Sequence, residues 1–241
     1  PPPPRLLFWC YVDDILYRVS ETFYSFQGEG PSIGTPAFFI RLQGCDVACK
    51  RCDSGYAWDS IGGDERSLGV LCAEAASIRE KGVRLAVVTG GEPTNQPVSH
   101  LLFNLASMFP RVEIETSGKN PPTSIFDYYY IPHGVVVINL SPKVGALHSD
   151  VDTTRYLREY LNYATIYKFV VGDDEDVSQV EELVTRYGIP WDRVYLMPEA
   201  RTQEEQMRKF PWLANVVKRI GMGVRFTIRL HIMLYGNIRG V

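Results

Sequence analysis

Residues 41–59 read RLQGCDVACKRCDSGYAWD and hold three of the chain's five cysteines. Cys45, Cys49 and Cys52 are separated first by three residues and then by two. Thiols at this spacing can form a local disulfide, bind a zinc ion or bind an iron–sulfur cluster. Each choice implies a different fold around the cysteines, so this stretch decides how the rest of the chain is interpreted.

The spacing C-x3-C-x2-C favours a cluster over the two other choices. A disulfide would leave the third cysteine unpaired and is disfavoured in a reducing compartment. A structural zinc ion usually has four ligands, and no fourth ligand is obvious because Cys10, Cys72 and the four histidines are scattered. A [4Fe–4S] cluster on three thiolates leaves one iron with an open position for a substrate or cofactor. Zinc stays open as the alternative.

The composition is that of an ordinary globular chain. Apolar residues make up 45% of the 241 positions and charged residues 22%, and the net charge of −3 gives no reason to expect a nucleic-acid partner. The cysteines are too few and too unevenly spread for a disulfide-stapled secreted fold. No stretch has about 18 consecutive apolar residues, so no membrane span is expected. We therefore expect a soluble, cytoplasmic protein with no nucleic-acid or membrane partner.

Strand-like runs alternate with helix-like segments along the chain. The predicted strands are 37–44, 84–90, 111–118, 134–142, 164–172, 193–198 and 224–231. The predicted helices are 68–81, 97–108, 153–161, 176–187 and 202–220. This alternation predicts an α/β fold with a mainly parallel sheet. Six βα units are fewer than the eight of a closed barrel, so we predict an open, partial TIM-like (βα)6 barrel.

Domain organisation follows from the same reading. Residues 1–20, with four leading prolines, are interpreted as an N-terminal extension of uncertain structure that packs at an edge of the core. Residues 21–241 contain no internal repeat or low-complexity linker, so they are predicted to form a single domain.

Distinctive peptides follow the ends of the predicted strands. After the cysteine loop come GGEP (90–93), TSG (116–118), SPK (141–143) and MPEA (197–200). Loops after parallel strands share one face of the sheet, so we expect these peptides to meet the cysteines there.

The cysteine triplet and GGEP together resemble the radical S-adenosylmethionine enzymes. That resemblance implies a [4Fe–4S] cluster on Cys45, Cys49 and Cys52, whose open iron binds the amino and carboxylate groups of S-adenosylmethionine. One electron from the cluster would cleave the sulfonium and give a 5′-deoxyadenosyl radical. The glycines would let the backbone approach this cofactor closely, and Glu92 would accept a hydrogen bond from its ammonium group.

A longer set of peptides narrows the resemblance to the 7-carboxy-7-deazaguanine synthase family. These are ETFYSFQGEGPSIGTPAFFIRLQGC (21–45), CDSGYAWD (52–59), TGGEP (89–93), ETSG (115–118), SPK (141–143) and RLHIMLYGNIRGV (229–241). The resemblance implies a lyase that contracts 6-carboxy-5,6,7,8-tetrahydropterin to 7-carboxy-7-deazaguanine with loss of ammonia, in queuosine or other 7-deazapurine biosynthesis. It further implies Mg²⁺, a flavodoxin-like electron donor and a homodimer.

The resemblance also implies a role for each matching residue. The pterin would contact Phe26, Gln27, Gly28, Glu29, Arg41, Thr89, His231 and Val241. S-adenosylmethionine would be bordered by Arg51, Cys52, Asp53, Gly91, Glu92, Ser141, Pro142, Lys143, Met197, Pro198, Glu199 and Ala200. The Mg²⁺ ligand would be Ser54, at a position where the family commonly has threonine.

Two rival functions remain open at this stage. Another small radical enzyme, such as a glycyl-radical activase, would share the cluster and GGEP but would need a protein substrate. A binding module with zinc or a cluster would need no catalytic cleft. Taken singly, Arg41 could be a solvated side chain, His231 a structural histidine and Lys143 a surface charge.

Overall fold

The computed structural model describes residues 15–50, 52–126, 134–145, 151–164, 166–236 and 238–241. Its strands are β1 (Leu16–Phe26), β2 (Pro36–Leu42), β3 (Asp64–Ser67), β4 (Leu85–Gly90), β5 (Arg111–Thr116), β6 (Val136–Leu140), β7 (Ile166–Val171), β8 (Val194–Pro198) and β9 (Arg225–Phe226). Its helices are α1 (Leu68–Glu80), α2 (Val98–Met108), α3 (Thr123–Phe126), α4 (Leu157–Tyr160), α5 (Asp174–Tyr187), α6 (Gln203–Ile220) and α7 (Leu230–Tyr235). None of these helices is long and apolar enough to cross a membrane.

The described strands form one sheet in the order β3-β1-β2-β4-β5-β6-β7-β8-β9. From β2 to β9 every neighbouring pair is parallel, whereas β1 is antiparallel to both β2 and β3. β3 and β9 lie at the two edges and do not pair with each other in the described ranges, so the sheet stays open. The predicted α/β class and open (βα)6 partial barrel are confirmed.

The two faces of the parallel sheet bury different layers. In β4, Ala86 and Val88 belong to the main core, which includes apolar residues of α1, α2 and α5. Leu85 and Val87 point the other way and pack in a small cluster with Phe39 of β2. Because side chains alternate along a strand, β4 is apolar on both faces, as is typical of a parallel sheet under helices. We call the face that carries Leu85, Val87 and Phe39 the inner face. The polar side chains of the candidate site also lie on it.

Helix α5 shows how local sequence sets the element boundaries. The Asp173 side chain accepts a hydrogen bond from the backbone N–H of Asp176 (3.0 Å) and caps the first turn. Val177, Val180 and other apolar residues form the buried stripe. Gly188 adopts the left-handed conformation (φ 66°) and ends the helix, as the sequence predicts.

The structure corrects three predicted boundaries. Of the predicted strand 224–231, only Arg225–Phe226 pairs with β8, and residues 230–235 form α7. Tertiary contacts override the β-like pattern there, because the backbone N–H of Leu230 donates to the carbonyl of Gly28 (2.9 Å). The predicted helix 153–161 shortens to Leu157–Tyr160. Strand β1 begins at Leu16, inside the predicted N-terminal extension.

Two glycines with positive φ provide a matched test of the fold. Gly90 (φ 131°) ends β4, and a Cβ there would overlap the carbonyl oxygen of Leu42 on β2. Gly82 (φ 91°) lies in the turn before β4, and a Cβ there would meet no atom within 4 Å. Both substitutions by alanine carry the strain of a positive φ, but only the first also forces two strands apart.

We predict that Gly90→Ala lowers the free energy of unfolding by about 1–3 kcal/mol more than Gly82→Ala, because overpacking adds to backbone strain. Thermal unfolding of the two variants measures this difference, at about 2–4 °C per kcal/mol for a chain of this size. Equal melting temperatures would contradict the close strand approach at Gly90.

Candidate active site

A cleft of about 240 Å³ opens at the carboxyl ends of the parallel strands. All eight residues predicted to contact the pterin line it: Phe26, Gln27, Gly28, Glu29, Arg41, Thr89, His231 and Val241. It is also lined by Cys45, Cys49, Cys52, Asp53, Ser54, Gly91, Glu92, Ser141, Lys143 and Met197. The loops after successive strands therefore meet on one face, as expected from the strand order.

Five of the predicted cofactor residues are not among the lining residues. Pro142, Pro198, Glu199 and Ala200 do not line the cleft within the described chain, and Arg51 lies outside the described residues. Glu199 accepts a hydrogen bond from Lys209 of α6 (3.0 Å). The carbonyl of Ala200 accepts a hydrogen bond from Arg229. Ala200 therefore holds a cleft-lining side chain in place without lining the cleft itself.

The cysteine loop holds three free thiols that are partly exposed to the cleft. Burial raises the pKa of Cys45 and of Cys49. Three thiols at one cleft fit the donor set of a [4Fe–4S] cluster with an open iron. Among the residues that the structure describes, no three His, Cys, Asp or Glu side chains converge to hold a single metal ion.

The GGEP loop is fastened to the cysteine loop and to β5. The backbone N–H of Glu92 donates to the carbonyl of Gly44 (2.9 Å), directly before the first cysteine. The carboxylate of Glu92 is 2% exposed and accepts five hydrogen bonds, from the backbone and hydroxyl groups of Thr94 and Ser117 and from the hydroxyl of Thr116. These five bonds fix the position of the Glu92 carboxylate at the ends of β4 and β5.

Strand register places a row of polar side chains on the inner face. Arg41 is the register partner of Glu21 on β1 and of Thr89 on β4. Its Nε donates to Glu21 (2.8 Å), and its Nη1 donates to the hydroxyl of Ser54 (3.4 Å). Thr89 in turn donates to Glu115 on β5 (2.8 Å). Arg41 is thus oriented by the sheet and points one edge of its guanidinium toward Ser54, so it is not a freely solvated side chain.

The QGEG loop packs against α7 and the end of β5. Gln27 is 2% exposed, and its Nε2 donates to Glu113 (3.2 Å) and Glu115 (3.1 Å). A Cβ on Gly28 would overlap Nδ1 of His231, so glycine is required for this contact. The loop therefore brings an amide, two carboxylates and an imidazole together.

A group of charged side chains lies beside this loop. Lys168 donates to one oxygen of Glu29, and Arg229 Nε lies 3.4 Å from the other. Burial by itself raises the pKa of Glu29, but Lys168 and Arg229 outweigh burial and lower it. The Arg229 guanidinium beside Asp53 holds the pKa of that carboxyl well below its usual range. Burial lowers the pKa of His231, which favours the neutral imidazole.

The sequence prediction missed several residues of the cleft, among them Glu115, Lys168 and Arg229. Glu115 and Lys168 each carry a charge within an otherwise apolar strand, RVEIET and IYKFVV, and that contrast is a usable signal. Arg229 gives no comparable signal, because the sequence RLH is also typical of an exposed strand.

No protein-family model matches the chain. A Pyrobaculum aerophilum protein named 7-carboxy-7-deazaguanine synthase is 38% identical over 226 residues, which cover 92% of this chain and 96% of the relative. A Hyperthermus butylicus protein of the same name is 33% identical and covers 90% of this chain and 92% of its own length.

Two solved structures are similar to this chain over most of its length. The crystal structure of QueE from Escherichia coli superposes with a TM-score of 0.67 at 26% identity, over 90% of this chain and 95% of that one. Streptococcus suis SuiB bound to S-adenosylmethionine superposes with a TM-score of 0.54 at 12% identity, over 80% of this chain and 50% of that one, and shares the fold.

The Glu92 network yields a prediction about stability. In Glu92→Gln, an amide N–H would face hydroxyl or backbone donors, so the buried site would contain two opposed donors. We expect a loss of about 1–3 kcal/mol in the free energy of unfolding. Glu182→Gln is the control, because Glu182 is exposed and its pair with Arg186 contributes less than about 1 kcal/mol. Equal melting temperatures of the two variants would show that the Glu92 network does not stabilise the loop.

Proposed function

The chain belongs to the 7-carboxy-7-deazaguanine synthase family of radical S-adenosylmethionine enzymes, and from this premise we propose its reaction. The chain converts 6-carboxy-5,6,7,8-tetrahydropterin into 7-carboxy-7-deazaguanine with loss of ammonia. The observation that carries the proposal is one cleft that holds three free cysteine thiols together with the QGEG residues and Arg41. A cluster alone would suit many radical enzymes, and a polar pocket alone would suit many lyases.

Cys45, Cys49 and Cys52 would hold the [4Fe–4S] cluster, and Asp53 and Gly91 would border S-adenosylmethionine. When bound, the cluster and S-adenosylmethionine supply a carbon-centred radical that takes a hydrogen atom from the pterin. The chain itself contributes position, because the backbone bond from Glu92 to Gly44 fixes the GGEP loop against the cysteine loop. Ser141 and Lys143 add further polar groups to the cleft, and the Lys143 ammonium donates to the Ser141 hydroxyl (3.1 Å).

The inner face suits the two ends of the pterin. Its amino and amide edge needs paired acceptors and donors, which Gln27, Glu29 and Glu115 would provide together with Thr89 and His231. The carboxylate of the pterin would meet the Arg41 guanidinium, whose edge toward Ser54 is directed into the cleft. Phe26 and Val241 would complete the enclosure.

The Ser54 hydroxyl and the neighbouring Asp53 carboxylate support a Mg²⁺ site at the rim of the cleft. Mg²⁺ prefers hard oxygen ligands and keeps several waters. The Ser54 hydroxyl also donates to Asp53 (3.1 Å), so its oxygen is held at the rim of the cleft. A substrate carboxylate on Arg41 would then reach the metal as well, and the ion would fix the ring during contraction.

The rival glycyl-radical activase has less support. Its substrate is a segment of another protein, whereas this cleft holds about 240 Å³ and is flanked by residues 238–241. A small-molecule substrate fits that volume. A flavodoxin-like electron donor, a homodimer and a cytoplasmic location remain part of the proposal, and the need for free thiols at the cluster supports the last of these.

The proposal predicts a product that can be detected directly. Anaerobically prepared enzyme with about four irons per chain, reduced and supplied with S-adenosylmethionine and the carboxytetrahydropterin, should yield 7-carboxy-7-deazaguanine by mass spectrometry. Cys45→Ala should lose the bound iron and the product. Cys72→Ala, on the buried face of α1 in the apolar core, should keep both. Deoxyadenosine without the deazaguanine would refute the substrate but retain the radical chemistry.

The Mg²⁺ assignment predicts a separate effect. Ser54→Ala should raise the Mg²⁺ concentration for half-maximal activity by at least about tenfold, because a ligand is lost. Ser54→Thr keeps the hydroxyl and should match the wild type. An unchanged Mg²⁺ dependence in the alanine variant would exclude Ser54 as a ligand.

A further inference from the structure

Arg229 is a buried cation of the cleft that the proposed reaction does not yet use. It lies between β9 and α7 and is 7% exposed. Gln206 of α6, which is fully buried, holds its backbone on both sides: Arg229 N–H donates to Gln206 Oε1 (2.9 Å), and Gln206 Nε2 donates to the Arg229 carbonyl (3.3 Å). The base of the side chain is therefore fixed by the core of the domain.

The guanidinium of Arg229 reaches three separate segments of the cleft. Its Nε lies 3.4 Å from a carboxylate oxygen of Glu29 in the QGEG loop, an ion-pair contact in which the buried Nε donates no hydrogen bond to any described residue. Its Nη2 lies 3.3 Å from Asp53, next to the last cluster cysteine. Its Nη1 donates to the carbonyl of Ala200 in the turn after β8 (2.5 Å). Glu29 belongs to the pterin side of the proposed site and Asp53 to the cofactor side, whereas Ala200 lies behind the wall of the cleft.

Charges of both signs alternate around Arg229. Glu29 and Asp53 supply two negative charges, and Arg229 and Lys168 supply two positive charges. A guanidinium is a flat, rigid fork with five donors, so it transmits a fixed spacing between its partners. An ammonium at the same place is a point charge and can satisfy one carboxylate at a time.

We propose that Arg229 is a positioning residue that sets the distance between the pterin and S-adenosylmethionine. The inference rests on the proposed function, in which Glu29 and Asp53 border the two ligands. Hydrogen-atom transfer needs reacting atoms about 3–3.5 Å apart, and a misplacement of about 1 Å costs about 100-fold in rate. By bridging the loops that carry the ligands, Arg229 keeps the reacting carbons within that range.

The test is the conservative variant Arg229→Lys, which keeps the charge but not the fork. We expect kcat for deazaguanine to fall about 10- to 100-fold, with a change in KM smaller than about threefold. The amount of deoxyadenosine formed per deazaguanine should rise, because the radical is made out of reach of the pterin. Arg225→Lys is the matched control: Arg225 is exposed on β9, donates to the Tyr195 hydroxyl and does not line the cleft. It should behave as the wild type.

Each outcome has a distinct meaning. A wild-type deoxyadenosine-to-product ratio in Arg229→Lys, whatever its melting temperature, would overturn the positioning role and leave the proposed function intact. Absence of deazaguanine with the wild-type enzyme would overturn the proposed function itself, and this inference with it.

If Arg229→Lys does not fold, a measurement on the wild-type enzyme tests the proposal instead. In a crystal structure of the wild-type enzyme with S-adenosylmethionine and the pterin bound, Arg229 should still bridge Glu29 and Asp53. Separation of either carboxylate from the guanidinium beyond about 4 Å would overturn the proposal, because the ion pair would then be broken.

Discussion

The buried carboxylate of Glu92 is the contact on which the cleft depends. It joins the end of β4 to the end of β5 through Thr116 and Ser117, while its own backbone N–H is bonded to Gly44. A single residue thus aligns two strand ends and the start of the cysteine loop. Because parallel strands supply no short hairpin to hold their ends together, such a cross-loop bond is what keeps the cleft in shape.

The charged side chains of the cleft, unlike its hydrogen bonds, are not explained by the stability of the fold. Moving Glu29, Lys168, Asp53 and Arg229 out of water costs free energy that pairing only partly offsets, and apolar replacements of such groups are often neutral or stabilising. Fold stability therefore gives no reason to keep them. All four side chains line the cleft next to the segments that would carry both ligands. This position gives a functional reason to keep them.

The parts of the structure that depend on local pattern could be predicted from the sequence. The six βα units, the end of α5 at Gly188 and the meeting of the loop peptides all follow from periodicity and turn residues. Contacts between distant segments could not be predicted in this way. The polar run of β3 forms a strand because it pairs with β1, and residues 230–235 turn helical where the chain meets Gly28. Arg229 gains its role only when three loops converge on it.

The distance along the chain between the cysteine loop and Arg229 has a consequence for biosynthesis. At about 5–20 residues per second, ribosomes complete the cysteine loop about 10 s or more before Arg229 is added. During that interval the three thiols lack the guanidinium beside Asp53 and the wall formed by α7. The nascent chain thus exposes reactive sulfur to its surroundings before it can build the cavity that will shield it. Loading of iron and sulfide before that time would act on a half-formed site.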